Sequence, residues 1–148
     1  MAQNLREQIA QEVVRVLGNI QDPSVVLVTR EPFEPEKLAI TQFPALLIQF
    51  LTEERETITM GAPGAGHRMG VLDYNIRGFL RGVELDRKRN DLIERIEEAL
   101  DLDRYLGLKA SGVIDSQVIA IEVVNRLAPL AEISITFRIR YNYVRNAT

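Results

Sequence analysis

The glycine-rich segment from Gly61 to Gly70 is the part of the chain whose residue types come nearest to a chemical site. Its sequence, GAPGAGHRMG, holds four glycines and one proline. A phosphate-binding loop of the Walker type needs Lys and then Ser or Thr after its last glycine, because those side chains reach phosphate and magnesium. Here His67 and Arg68 follow, and Met69 stands where a dinucleotide-binding fingerprint needs its third glycine. We therefore predict a flexible loop that binds no nucleotide.

Metal-binding patterns are also incomplete. His67 is the only histidine and the chain has no cysteine, whereas zinc sites draw on several nitrogen or sulfur donors. Asp101 and Asp103 begin like a calcium-binding loop. Such a loop needs glycine at its sixth position and glutamate at its twelfth, and these positions hold Leu106 and Gly112. We expect no metal or cofactor.

Sets of side chains that could be catalytic are also incomplete. Glu97 and Asp101 would suit acid–base chemistry if they were buried together. They lie on an amphipathic segment with arginines alongside, which indicates a solvated helix face instead. The serines lack a partner histidine, so a catalytic triad is excluded. These serines are Ser111, Ser116 and Ser134. We predict that the protein is not an enzyme.

Arg138 and Arg140 project from one side of the last predicted strand. They form either an ordinary solvated face or a basic surface that contacts phosphate or an acidic neighbour. The net charge of −3 provides no general attraction to nucleic acid or to an anionic membrane. Tyr141 and Tyr143 have the opposite parity, so they cannot stack bases beside these arginines.

The alternation of apolar and polar residues near the end of the chain is the clearest sign of secondary structure. From Glu132 to Arg145, every second side chain is apolar or aromatic. Since a strand has a side-chain period of two, this pattern predicts one long strand with a buried and a solvated face. The apolar positions are Ile133, Ile135, Phe137, Ile139, Tyr141 and Tyr143.

Two further segments show helical spacing of apolar residues. The first begins near Leu5 and ends near Gly18 and Asn19, a pair typical of helix C-terminal ends. The second begins after Glu84 or Asp86, one of which we expect to cap it. Its buried stripe comprises Leu92, Ile93, Ile96 and Leu100.

The remaining strands are predicted from short apolar runs bounded by turn residues. Ala45 to Leu51 is apolar on both parities, which is typical of a strand covered on both faces. The charged residues from Thr52 to Glu56 indicate a turn, and Thr57 to Met60 begins another strand. Gly78, on an apolar face, indicates a bulge or a close approach. The other strands are Val25–Thr29, Leu72–Leu80 and Val118–Val124.

Together these elements predict a single α+β domain spanning residues 1–148. We expect a mainly antiparallel sheet packed against two amphipathic helices, roughly in the order α-β-β-β-α-β-β, with or without one extra short strand. Hydrophobic content of 46% and charged content of 26% are ordinary globular values. The N-terminal segment is unlike a signal peptide, and no apolar run approaches the roughly 20 residues that span a bilayer. We expect no membrane association.

Four segments in this order carry a resemblance to a known family. They are the proline-led strand FPALLIQF, the strand VLDYNIRGFLRG after the glycine-rich segment, the helix LIERIEEALDLDRYLG and the final strand EISITFRIRYNYVR. With the N-terminal amphipathic helix, they cover nearly the whole chain. The chain resembles the tail terminator (tail-completion) proteins of tailed bacteriophages.

The resemblance implies a virion structural protein at the tail–neck junction, assembled in the host cytoplasm. Copies would form a ring, usually hexameric, that caps the tail tube and ends its polymerisation. The expected partners are other copies, the tail tube protein, the sheath if the tail contracts, and the neck or head connector protein. DNA would pass through the lumen without sequence-specific binding.

The family has no catalytic motif to carry over, so the interface residues are inferred from this sequence. We expect the glycine-rich loop to become ordered against a ring neighbour or the tube. Arg138 and Arg140 are expected to make polar contacts between subunits or along the lumen. The loop residues concerned are Gly61, Gly64, Gly66, His67, Arg68 and Gly70. Two alternatives remain open: a neighbouring head–tail joining subunit, and a small ligand-binding regulatory domain.

Overall fold

In a computed structural model, residues 4–21, 24–57 and 67–144 form one five-stranded sheet with two helices on one face. The helices are α1 (Leu5–Gly18) and α2 (Leu85–Asp101). The strands are β1 (Leu27–Thr29), β2 (Ala45–Thr57), β3 (His67–Arg81), β4 (Val113–Val124) and β5 (Leu130–Val144). Their order along the chain is the predicted one. Single 3₁₀ turns lie at Pro35–Lys37, Ile40–Gln42 and Lys109–Ser111.

The strands lie side by side in the order β1-β2-β3-β5-β4. β1 runs parallel to β2, and the other neighbouring strands are antiparallel. The prediction of an α+β fold with a mainly antiparallel sheet is therefore confirmed. The short parallel pair makes the sheet mixed.

The main core lies between the sheet and the two helices. Because side chains alternate along a strand, β5 directs its apolar set to the helices and its polar set to the opposite face. Ile9, Val13 and Leu17 of α1, with Leu92 and Ile96 of α2, are fully buried against this sheet face. The β5 residues in the core are Ile133, Ile135, Phe137, Ile139 and Tyr141.

A second, smaller apolar cluster covers one end of the opposite sheet face. Ala45 and Leu47 of β2 and Phe79 of β3 are buried there beneath side chains of the β1–β2 connection, including Phe33 and Phe43. This explains why β2 is apolar on both parities. The prediction of burial on both faces is confirmed for its first four residues, 45–48. It is wrong for Phe50 and Leu51, which are 54% and 50% exposed.

Several predicted strand boundaries are wrong. The charged residues from Thr52 to Glu56 do not form a turn, because β2 continues through them and pairs with β3 as far as Thr57 opposite Arg68. Polar residues are tolerated here because Thr52, Glu54 and Arg55 are exposed to solvent. β1 starts two residues later than predicted, at Leu27, and β4 starts five residues earlier, at Val113.

The position of Gly78 is explained by a close approach. A Cβ atom there would lie 2.8 Å from Cγ1 of Ile133 and 3.2 Å from Cδ2 of Leu92. Gly78 pairs with Leu46 without a shift of register, so it marks no bulge. Glycine here lets α2 pack closely on the sheet. Glu84 occupies the N-cap position of α2, but its side chain makes no capping hydrogen bond.

Candidate assembly interface

The outer edge of β4 is the longest unpaired strand edge in the described part of the chain. β4 pairs with β5 along one side, and the described residues place no strand along the other. Ile119, Ile121 and Val123 are 39% to 54% exposed on this strand. β4 also has no lysine, arginine or proline, residues that natural edge strands use to prevent pairing. A long apolar edge of this kind is typical of a surface that another chain covers.

The other side of the sheet has a second apolar edge. β1 pairs with β2 only at Ala45–Leu47, so the rest of β2 has no strand beside it among the described residues. The exposed side chains of Phe50 and Leu51 lie on this open part. Phe50 makes an edge-to-face contact with the ring of Tyr74, at 6.2 Å between centroids. The sheet thus has two different apolar edges on opposite sides.

The sheet face without helices is polar, and several of its charged groups are paired within the chain. Two nitrogens of the Arg138 guanidinium, Nε and Nη2, donate to the carboxylate of Asp73 at 2.9 and 3.0 Å. The side chain of Asp73 is only 11% exposed, so this pair is largely shielded from water. Arg138 was predicted from its parity to lie on the polar face of β5. It is already bound to Asp73 within its own chain.

A second ion-pair network on this face is centred on Glu132. Arg77 donates to its Oε2 atom at 2.8 Å, and Arg126 donates to its Oε1 atom at 2.7 Å. Arg126 also reaches Glu36 at 2.7 Å, which ties the β1–β2 connection to the sheet. Glu132 is almost completely buried, and each of its carboxylate oxygens accepts a hydrogen bond from an arginine. The sequence did not single it out, although an acid before a strict apolar alternation is a visible signal.

The predicted interface residues do not form one cluster. Residues 61–66, which include Gly61, Gly64 and Gly66, lie outside the described residues. His67–Gly70 begin β3, so the prediction of a loop is wrong for these four positions. They form part of the strand because β5 is long enough for its last residues to pair with them. Arg68 shares its parity with Leu72 on the helix side, whereas Arg138 and Arg140 lie on the polar side.

Gly70 has a structural role instead. A Cβ atom at this position would overlap the ring of Tyr141, which lies across from it on β5. The ring is held there because the hydroxyl of Tyr141 donates a hydrogen bond of 2.9 Å to Glu53. Any side chain at Gly70 would have to displace this ring.

Glu53 binds three other side chains and was missed by the sequence reasoning. Arg6 of α1 and Arg55 of β2 both donate to its carboxylate, together with Tyr141. Burial favours a higher pKa for Glu53, but these three hydrogen bonds outweigh it and hold the pKa below its usual value. Burial, followed by the bond to Glu53, raises the pKa of Tyr141. The available signal was the two-residue spacing of Glu53 and Arg55, which places both on one face if the segment is interpreted as a strand.

The described residues form several open clefts. A cleft of about 660 Å³ is lined mainly by polar residues, including Arg6, Glu7 and Arg30. Another cleft of about 410 Å³ is lined by apolar residues and by Arg81, Lys88 and Asp91. Within ranges 4–21, 24–57 and 67–144, no group of three or more His, Asp or Glu side chains is placed to hold a metal ion. The same ranges contain no helix long and apolar enough to cross a membrane.

Comparison with known proteins shows a likeness of fold. No protein family model matches the sequence, and no curated protein matches it. One matching solved structure is a chain of the virion of a native gene transfer agent particle. It superposes with a TM-score of 0.50 at 12% sequence identity, covering 94% of this chain and 95% of that one. The two chains share a fold over nearly their whole lengths.

Proposed function

We propose that this chain is a virion structural protein, a tail terminator of a phage-like particle. Its copies form a ring, hexameric in the proposal, that caps the tail tube and ends its polymerisation. The ring joins the tail to the neck or head connector, and DNA passes through its lumen. The role needs no reaction, metal or cofactor.

The observation that carries this proposal is the shared fold with a chain of a virion particle, over almost the full length of both chains. Fold alone does not determine function, so the surface of this chain must also fit the role. A virion subunit functions by binding neighbouring proteins. The two apolar strand edges provide the exposed surface that such contacts bury.

The arrangement of these edges suits a ring. They are different surfaces on opposite sides of one sheet, so a contact between them is head-to-tail and not self-complementary. A head-to-tail contact closes into a ring when its rotation permits, and otherwise continues as a filament. Permanent contacts of this kind often bury about 2,000 Å² or more in total.

The polar sheet face suits passage of DNA. Proteins that grip DNA present unpaired Lys and Arg to its phosphates. On this face Arg138 pairs with Asp73, and Arg77 and Arg126 share Glu132, so that most of the described arginines here, Arg140 excepted, have a carboxylate partner. We propose that this face lines the lumen, where paired charges remain hydrated without holding the phosphates.

Deleting the gene from the particle that encodes it tests the proposal. A terminator is required to stop the tube, so the expected phenotype is tails of irregular and excessive length by electron microscopy. Supplying the protein in trans should restore one length. Tails of normal length that fail to join heads would instead indicate the neighbouring head–tail joining subunit, and normal infectious particles would reject both roles.

The ligand-binding alternative predicts a different result. A metabolite that binds the native state raises the unfolding temperature roughly with the logarithm of its concentration once that concentration exceeds Kd. Thermal-shift measurements with nucleotides should therefore show no stabilisation of the purified chain. A large concentration-dependent shift would favour the regulatory domain over the virion role.

A further inference from the structure

We propose that the outer edge of β4 contacts the outer edge of β2 in a second copy of this chain, at the level of the β-bulges in the two strands. The inference rests on the proposed function and deepens it, because it names the surfaces through which ring subunits join. The contact is between unlike edges, so each copy uses both of its edges in a closed ring.

The residue pairings put the exposed apolar parts of both edges at the same height in the sheet. One row of paired residues crosses the sheet through Phe50, Tyr74, Phe137 and Val118. The half-exposed residues Leu51 and Ile119 lie directly beside the two ends of this row. A rotation about an axis along the strands therefore brings one apolar end against the other, without sliding the copies along the strands.

The directions of the strands are also compatible. Three antiparallel pairings separate β2 from β4, so these strands run in opposite directions within one chain. Rotation about an axis along the strands preserves these directions. The two edges would meet antiparallel, which is the geometry of all the long strand pairs in the sheet.

The bulges determine the kind of contact. Leu51 lies at the register shift between Phe50 and Thr52, and Ile119 lies at the shift between Val118 and Ala120. A bulged residue is left out of the ladder, and bulges on edges prevent indiscriminate pairing. The contact therefore rests on apolar side chains at one height rather than on an open-ended ladder. This limits the partner to a surface with a matching position, which β2 and β4 provide for each other.

Site-specific cross-linking tests the contact directly. The natural sequence has no cysteine, so Leu51→Cys and Ile119→Cys each introduce a unique thiol. The two purified variants are mixed and treated with a short thiol-reactive cross-linker. We expect covalent dimers in the mixture at a level at least about tenfold above either variant alone, because only unlike edges meet in a head-to-tail contact.

Leu127→Cys is the matched control. Leu127 is 90% exposed and lies in the β4–β5 turn, beyond the end of β4 and eight positions after Ile119. It should cross-link with neither variant above the background of random collision. Equal cross-linking of the control, or none in the mixture, would overturn the proposal. Efficient dimers of Ile119→Cys alone would also overturn it, because they would show that β4 pairs with itself.

Charge variants separate this inference from the proposed function. Leu51→Lys and Ile119→Lys should each prevent self-association, while their mixture should form one-to-one dimers through the two intact edges. Light scattering reports both results, and circular dichroism checks the fold. Particles that incorporate both variants normally would reject the edge contact and leave the virion role standing. Cross-linked rings absent from particles would reject the virion role and leave the edge contact standing.

Discussion

Asp73 on β3 and Arg138 on β5 pair across neighbouring strands through two hydrogen bonds, at 2.9 and 3.0 Å. They are 65 positions apart in the sequence. Their two-point geometry fixes the guanidinium on the polar face of the sheet, and the low exposure of Asp73 increases the cost of losing its partner.

Arg138→Met should destabilise the fold by about 1–3 kcal/mol, because the carboxylate of Asp73 is left shielded without a charged donor. Urea unfolding measures this loss. Asp73→Asn combined with Arg138→Met should cost less than the sum of the single changes, since the pair is lost only once. Arg140→Met is the matched control on the same strand face, with an expected change within about 0.5 kcal/mol. Additive losses would mean that the pair is not coupled.

Arg140 is the better residue for testing an intersubunit or lumen role. Arg138→Glu would confuse assembly with folding, because it places two carboxylates together at Asp73. Arg140→Glu should leave the unfolding midpoint nearly unchanged and reduce ring formation or particle yield. Size-exclusion chromatography and plaque or transfer assays measure these effects. Normal assembly of Arg140→Glu would support the solvated-face interpretation.

Gly70→Ala should destabilise the protein by about 1–3 kcal/mol, because its Cβ atom overlaps the ring of Tyr141. Gly18→Ala is the matched control, since no atom lies within 4 Å of a Cβ at that site. Gly18 lies in α1, where alanine should be neutral or stabilise by up to about 1 kcal/mol. Thermal unfolding compares the two. A neutral Gly70→Ala would show that the ring moves aside freely.

Protonation of Glu53 should cause part of the loss of folding stability at acid pH. Its pKa is lower in the folded than in the unfolded chain, so its contribution is complete above the unfolded value of about 4.3. The contribution is lost as pH falls through the lower folded value. Glu7, whose pKa is lowered by the hydrogen bond from Arg30, acts in the same direction. Glu53→Gln should therefore be less stable at pH 7 and lose less stability between pH 7 and pH 3. Parallel pH curves for both proteins would contradict this.

The glycine-rich segment remains a predicted assembly element. Thr57 pairs with Arg68, so a short hairpin turn can join β2 to β3 close to this pair. Replacing residues 59–66 by Asn-Gly supplies a two-residue turn suited to that hairpin. We expect unchanged circular dichroism and unfolding, with loss of assembly on the tail tube. Normal assembly of the shortened chain would remove this segment from the interface.

Local periodicity was enough to identify the two helices, the order of the elements and the buried face of β5. The side chains at Ile133, Ile135 and Phe137 point inward because a strand alternates, whatever lies beside it. Tyr141 was also correctly predicted to be buried. These features depend on neighbours in the sequence, which a single sequence contains.

Tertiary structure alone decided which strands became neighbours. β5 lies between β3 and β4, and this placement makes β4 an edge and opposes Arg138 to Asp73. The same pairing turns the charged residues after Leu51 into strand and draws Gly70 into β3, against their local preference for turns. Strand pairing joins residues far apart in the chain, and its free energy comes from partners that no local pattern identifies.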